Sequence, residues 1–244
     1  MSGYVALVTG GSRGIGRAIA MSLMENGYHV AVGYQNNYEL AYKIISDNDF
    51  GIPVQIDVSS SQSIESAINE VETRFGSIDI LINNAGISQA KPFLEISDDD
   101  WEQMLSVNLM GAVRCIRHVL PSMIDKKFGR IINISSIGGQ WGGIYQVHYA
   151  AAKAGLINLT KSMAKNYSGS GICCNAVAPG LIQTDMISEE LNDDESSKRV
   201  EGIPIGRIGT TDEVASIVTY LCSEGASYIT GQTINVNGGM NLFG

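Results

Sequence analysis

Thr9-Gly10-Gly11-Ser12-Arg13-Gly14-Ile15-Gly16 lies between two stretches of opposite periodicity. Before it, Tyr4 to Val8 is a short apolar run, β-branched in part, as expected of a buried strand. After it, an amphipathic helical pattern runs to about Asn26, with Gly27 where a helix C-cap belongs. Strand, glycine turn and helix N-terminus together make an anion site. Glycines let the backbone approach a phosphate, and the helix N–H groups point at it. The spacing Gly-x-x-x-Gly-x-Gly differs from the Gly-x-Gly-x-x-Gly of the commoner dinucleotide fingerprint. A purely structural turn is the competing reading. The strand before and the helix after favour a nucleotide loop, with Gly10, Ser12, Arg13, Gly14, Ile15 and Gly16 against the ligand.

The same alternation continues outward. Strands are expected at His29 to Gly33, Ile52 to Ile56, Ile78 to Ile82, Arg130 to Ile134, Ile172 to Ala178 and Gln232 to Val236. Helices are expected at Tyr38 to Asp47, Ser61 to Phe75, from the acidic cap Ser97-Asp98-Asp99-Asp100, from Tyr149 to Tyr167, and from Thr211 to Ser223. Regular βα alternation predicts an α/β fold, a Rossmann-type doubly wound sheet of seven parallel strands with helices on both faces. Ligands in such sheets bind beyond the carboxyl ends of the strands. The residues at those ends are therefore the candidates for a site.

The second strand runs out into Gly33-Tyr34-Gln35-Asn36-Asn37 with no acid to hold a ribose 2′-hydroxyl. Arg13 could instead reach a 2′-phosphate through a forked, charge-assisted contact, or stand in solvent. Both features favour NADP, with Tyr34 at that corner. Asp57 and Val58 could hold an adenine, though a plain aspartate at the start of a helix reads equally well. Asn84, Ala85 and Gly86 are small enough for close approach to a ligand. Asn108 is a polar amide among apolar neighbours and needs a hydrogen-bond partner. Ser136 follows the fifth strand. Tyr149 and Lys153 stand at i and i+4 on one helix face. A tyrosine titrates near ~10, and a lysine ammonium one turn away, with the helix dipole, should lower that value. The pair suits proton transfer near neutral pH.

Composition sets the bounds. The 244 residues are 44% hydrophobic and 17% charged, so residues 1–244 are expected to form one domain around one large core. A net charge of −9 argues against nucleic acid and anionic membrane as partners. The four cysteines have no metal-ligand spacing, so buried thiols are expected, with no metal and no disulfide. Met1-Ser2-Gly3-Tyr4-Val5 does not read as a signal peptide, and no apolar run approaches the ~20 residues of a membrane span. A cytoplasmic location is the expectation. Leu181 to Pro204, rich in acids, reads as a mobile lid or as a solvated loop.

Thr9-Gly10 through Gly16, Asn83-Asn84-Ala85-Gly86, Asn108, Ser136, Tyr149, Lys153 and Pro179-Gly180 stand in one order along the whole chain. In that order they resemble the short-chain dehydrogenase/reductase family. Asn175-Ala176-Val177-Ala178-Pro179-Gly180, Thr184-Asp185-Met186 and the tail from Gly206 to Met240 resemble its branch that reduces 3-oxoacyl groups on acyl-carrier protein. The resemblance implies NADPH-dependent reduction of a 3-oxoacyl thioester, alone or carrier-bound, by a homotetramer. It implies that Tyr149 protonates the carbonyl oxygen and that Ser136 hydrogen-bonds it. Lys153 would tune Tyr149 and hold the nicotinamide ribose, and Asn108 would hold a water that resupplies protons. Pro179, Gly180, Ile182 and Thr184 would lie near the nicotinamide.

Two features depart from that branch. The turn Ser168-Gly169-Ser170-Gly171 carries no basic residue to dock an acidic carrier, which leaves Lys126, Lys127 and Arg130 as a candidate basic patch. Trp141 and Tyr145 could shape a more compact pocket, for a sugar for instance, or serve packing. The alternatives are thus a short-chain oxidoreductase acting on another carbonyl or alcohol, and a non-catalytic NADP-binding scaffold. The scaffold has no need of the full set Asn108, Ser136, Tyr149 and Lys153. His148 reads as structural.

Overall fold

The structure is a computed structural model that describes residues 3–46, 48–184 and 200–242. Seven strands, β1 (Val5–Val8), β2 (His29–Tyr34), β3 (Gly51–Gln55), β4 (Ile80–Asn83), β5 (Gly129–Ile134), β6 (Ile172–Pro179) and β7 (Thr233–Val236), form one parallel sheet in the order β3-β2-β1-β4-β5-β6-β7. The expected doubly wound α/β architecture is therefore present, with strand limits shifted by a residue or two. The strands read as near-continuous apolar runs because both faces of a parallel sheet are covered.

Alternate side chains go to opposite layers. Ala6 and Val8 of β1 pack with Ile80, Ile82, Ile132 and Ile134 against α1 (Gly14–Glu25) and α8 (Thr211–Cys222). Val5 and Leu7 pack with Leu81 and Ile131 against α3 (Ser61–Phe75) and α5 (Gly111–Lys126). Other α-helices among the described residues are α2 (Tyr38–Ile45), α4 (Asp98–Leu105), the short α6 (Gly138–Trp141) and α7 (Val147–Tyr167). Helices α1 and α8 lie side by side, and Ser22 Oγ is 2.9 Å from Thr219 Oγ1. All four cysteines are free and buried. No helix among the described residues is long and apolar enough to cross a membrane.

Helix starts follow their caps. Ser97 and Asp100 form a reciprocal capping box at α4, and Thr210 and Glu213 form another at α8. Between β4 and β5 on one side and α7 on the other runs a buried polar chain. Asn83 Nδ2 donates to Asn133 Oδ1 at 2.8 Å, and Asn133 Nδ2 donates to Thr160 Oγ1 at 2.9 Å. It ties the central strands to the helix that carries Tyr149 and Lys153.

The strand order reverses direction between β1 and β4. A crevice opens there, outside the carboxyl ends of the strands.

Candidate active site

The loop after β1 is built for close approach. Gly10 and Gly14 adopt left-handed φ values of 62° and 53°. A Cβ on Gly16 would strike the Gly10 carbonyl oxygen and the Asn84 side chain. That side chain is part of the design: Asn84 Nδ2 donates to the carbonyls of Thr9 and Gly10, both at 3.0 Å. Thr9 Oγ1 in turn accepts from the backbone N–H groups of Asn84 and Ala85, each at 3.0 Å. The loops after β1 and β4 are thus one clamp across the reversal point. Arg13 occupies the N-cap of α1, no side chain caps the helix, and no acid lies in its first turn. Its first N–H groups are left as donors in a positive dipole end.

A cleft of about 1130 Å³ runs from this loop across the strand ends. The glycine-loop candidates Gly10, Ser12, Arg13, Gly14, Ile15 and Gly16 line it, as do Asp57 and Val58 after β3. Asn84, Ala85 and Gly86 follow from β4, and Asn108, Ser136, Tyr149 and Lys153 complete the centre. Pro179, Gly180, Ile182 and Thr184 enter from the far side. Ile182 is buried and bridges to Gly209, which turns the segment after β6 back toward the glycine loop. A Cβ on Gly14 would meet Thr184 at 3.5 Å. Ser59 donates to Asp57 from both its hydroxyl, at 2.7 Å, and its N–H, and holds that carboxyl below its ordinary range.

At the centre, Tyr149 lies in the first turn of α7 with its hydroxyl directed at Ser136, which favours its ionised form. Ser136 Oγ also accepts from the Gly138 N–H at 3.1 Å, which fixes its orientation. Lys153, one turn on, is 4% exposed, and its Nζ donates to the Ile134 carbonyl at 2.8 Å. Burial brings the Lys153 pKa down to about 8. The Tyr149 pKa is raised by burial, with only the Ser136 hydrogen bond pulling it back. This corrects the expectation that Lys153 depresses Tyr149. The ammonium sits 5.6 Å from the ring centre, over the ring face, and is committed to Ile134.

Asn108 sits in a π-helical turn, Ser106–Met110, between α4 and α5. Such turns cluster at functional sites. Its amide donates to the Ile87 carbonyl at 2.9 Å and accepts from the Ile87 N–H at 3.2 Å. The buried amide, which needs a partner, finds one in the backbone of Ile87.

Residues 10–241 match a family model described as Enoyl-(Acyl carrier protein) reductase. The chain is 46% identical over 244 residues to 3-oxoacyl-[acyl-carrier-protein] reductase FabG of Aquifex aeolicus, across 98% of each chain. It is 43% identical over 245 residues to the FabG of Vibrio harveyi, across 99% of each chain. With the FabG of Staphylococcus epidermidis it shares 42% over 241 residues, 97% of this chain and 98% of the relative. The chain belongs to the short-chain dehydrogenase/reductase family. As a short-chain oxidoreductase it interconverts C=O and CH–OH groups with a nicotinamide cofactor.

Within this short-chain reductase, two further features lie elsewhere than the sequence suggests. Tyr34 does not line the cleft; its ring lies edge-on to Tyr38 at 5.8 Å, on the sheet layer with α1. Gln35, Asn36, Asn37 and Leu40 take that corner instead. The candidate basic patch is reduced to the exposed Lys126 and Lys127. Arg130 is buried over the Phe128 ring, and Lys126 is paired with Asp79 at 2.6 Å. Sequence reasoning also missed Ile87, Ser88, Glu102, Gln103, Ser106 and Val107. The last four had a signal: positions 102, 103, 106 and 107 share one helix face. Most of the predicted lid, residues 185–199, lies outside the described residues.

Proposed function

We propose that the chain reduces the keto group of a 3-oxoacyl thioester borne on acyl-carrier protein, with NADPH as reductant. The observation that carries this reading is the meeting of Ser136 and Tyr149 on the cleft, one turn from a buried Lys153, in a chain that matches 3-oxoacyl-[acyl-carrier-protein] reductases along nearly its whole length. Two hydroxyl groups converging on one acceptor suit a carbonyl oxygen.

The residues present fit the dinucleotide. The side-chain-free loop at Gly10, Gly14 and Gly16, with the uncapped N–H groups of α1, suits a pyrophosphate. Arg13, and the absence of an acid among Tyr34, Gln35, Asn36 and Asn37, suit a 2′-phosphate. Asp57 and Val58 would border the adenine, and Ile182 and Thr184 the nicotinamide. When bound, the cofactor supplies the hydride, and the protein supplies orientation and a proton. Ser136 holds the substrate oxygen. Tyr149, kept protonated by its raised pKa, donates its proton to that oxygen as charge develops. Lys153, moored on β5, would hold the nicotinamide ribose and, with a water at Asn108, would return the proton to Tyr149.

The active unit in this reading is residues 1–244 as one domain, working in the cytoplasm as a homotetramer. Exposed Tyr220 on α8, Ile124 on α5 and Met110 just before it, together with Tyr228 and Leu242, support burial against further copies. The test is NADPH oxidation with acetoacetyl thioester on acyl-carrier protein, the same acyl group on a small thiol, a crotonyl thioester and a panel of sugars. Activity on the acetoacetyl thioesters is expected. Turnover confined to the sugars, a reading favoured by the burial of Arg130, would overturn the assignment.

A further inference from the structure

His148 precedes Tyr149 in the first turn of α7, so its ring points roughly 100° away from the cleft-facing phenol. It is completely buried and lies edge-on to Trp101 of α4 at 5.9 Å. Its Nε2 is 3.1 Å from Gln89 Oε1, while its Nδ1 is buried without a hydrogen-bond partner. The ring therefore has one polar hold.

That hold is oriented from outside. The side chain of Gln89 also lies near the Asp100 carboxylate, which accepts from Lys91 Nζ at 2.7 Å and from Ser97 N at 2.9 Å. An amide oxygen only accepts. With Gln89 Oε1 facing it, the imidazole carries its proton on Nε2.

Gln89 lies in the segment that follows β4, and that segment is tied throughout. Ile87 is held on both its backbone groups by Asn108, and Ser88 Oγ accepts from Gln146 Nε2 at 3.0 Å. The Lys91 N–H donates to the Tyr145 carbonyl at 2.7 Å. Tyr145 holds a left-handed φ of 56°, a conformation that persists in a bulky residue only where its surroundings impose it. Segments 87–91 and 145–148 are therefore clasped side by side. Ile87 and Ser88 on the first line the cleft, and Tyr149 follows directly on the second.

We propose that His148 is a positioning residue for the reduction. Its hydrogen bond to Gln89 sets the first turn of α7 against the wall formed by Ile87 and Ser88, and so fixes the distance from the Tyr149 hydroxyl to the bound carbonyl. The proposal rests on the proton-donor role given to Tyr149 above.

His148→Phe keeps a ring against Trp101 and removes the donor. Turnover should fall roughly 10-fold, inside the ~10²-fold that a 1 Å misplacement can cost, while NADPH affinity stays unchanged. His148→Gln returns an N–H at similar reach and should recover most of the loss. Gln89→Leu, on the exposed side of the clasp, should reproduce the loss, and the double variant should lose no more than either single one. A His148→Phe turnover within about twofold of wild type, additive losses in the double variant, or no rescue by glutamine would overturn the proposal. All variants are compared on whichever carbonyl compound the wild type reduces. A wrong substrate assignment then shows in the wild type, and a wrong clasp only in the variants.

Discussion

Lys153 Nζ and the Ile134 carbonyl lie 2.8 Å apart, so the ammonium next to Tyr149 is moored to the last residue of β5. With its pKa drawn down to about 8 by burial, the folded chain releases this proton before the unfolded chain does, near ~10.4. Below pH about 8 both states carry the charge, and the folded state bears the full cost of burying it. As pH rises from about 8 toward ~10.4 the cost disappears. Lys153→Met should therefore be more stable than wild type at pH 7, by about 2 kcal/mol after ~1 kcal/mol for the lost hydrogen bond. The advantage should shrink by pH 9.5. Urea midpoints at the two pH values check the sign and the trend, and activity should be lost at both.

Tyr149→Phe removes the proton donor and leaves the glycine loop untouched. Turnover should fall ~10²–10⁴-fold. NADPH titration followed by fluorescence should give an unchanged affinity. Near-normal turnover would mean that another group protonates the product.

Arg13→Ala should weaken NADPH far more than NADH. A charge-assisted bond is worth ~1.5–3 kcal/mol, which is roughly 10- to 150-fold in affinity. Calorimetric titration of both dinucleotides against both proteins gives the ratio directly.

Gly16→Ala puts a methyl group into the Gly10 carbonyl and the Asn84 side chain. Overpacking of this kind costs ~1–3 kcal/mol. The thermal midpoint should drop, and dinucleotide binding should drop more steeply, because the displaced atoms are those that clamp the loop.

Light scattering at micromolar concentration should give four times the 26.1 kDa of one chain. A particle of 26.1 kDa would overturn the tetramer.

The sheet was legible because buried parallel strands print themselves as apolar runs, and the loop because only glycine tolerates φ values such as those of Gly10 and Gly14. Tyr34 was not. It shares strand parity with Val30 and Val32, which pack on the α1 layer, but alternation does not say which face meets the ligand. The π-helical turn at Asn108 adds a step to a helix without any change in residue type, and it left no trace in the sequence. The direction of the Tyr149 shift was misjudged because spacing places Lys153 on the right face but is silent about burial, which raises the phenol, and about the Ile134 carbonyl that holds the ammonium.

The packing of α1 on α8 has a temporal side. Ser22 and Thr219 touch across 197 positions of chain. During translation the glycine loop emerges early, yet Ile19 and Leu23 behind it wait for Val214, Val218 and Leu221 to cover them. At ~5–20 residues per second that interval is roughly 10–40 s. A chain that stops short of α8 therefore leaves Ile19 and Leu23, directly behind the glycine loop, without the cover that packs them in the folded protein.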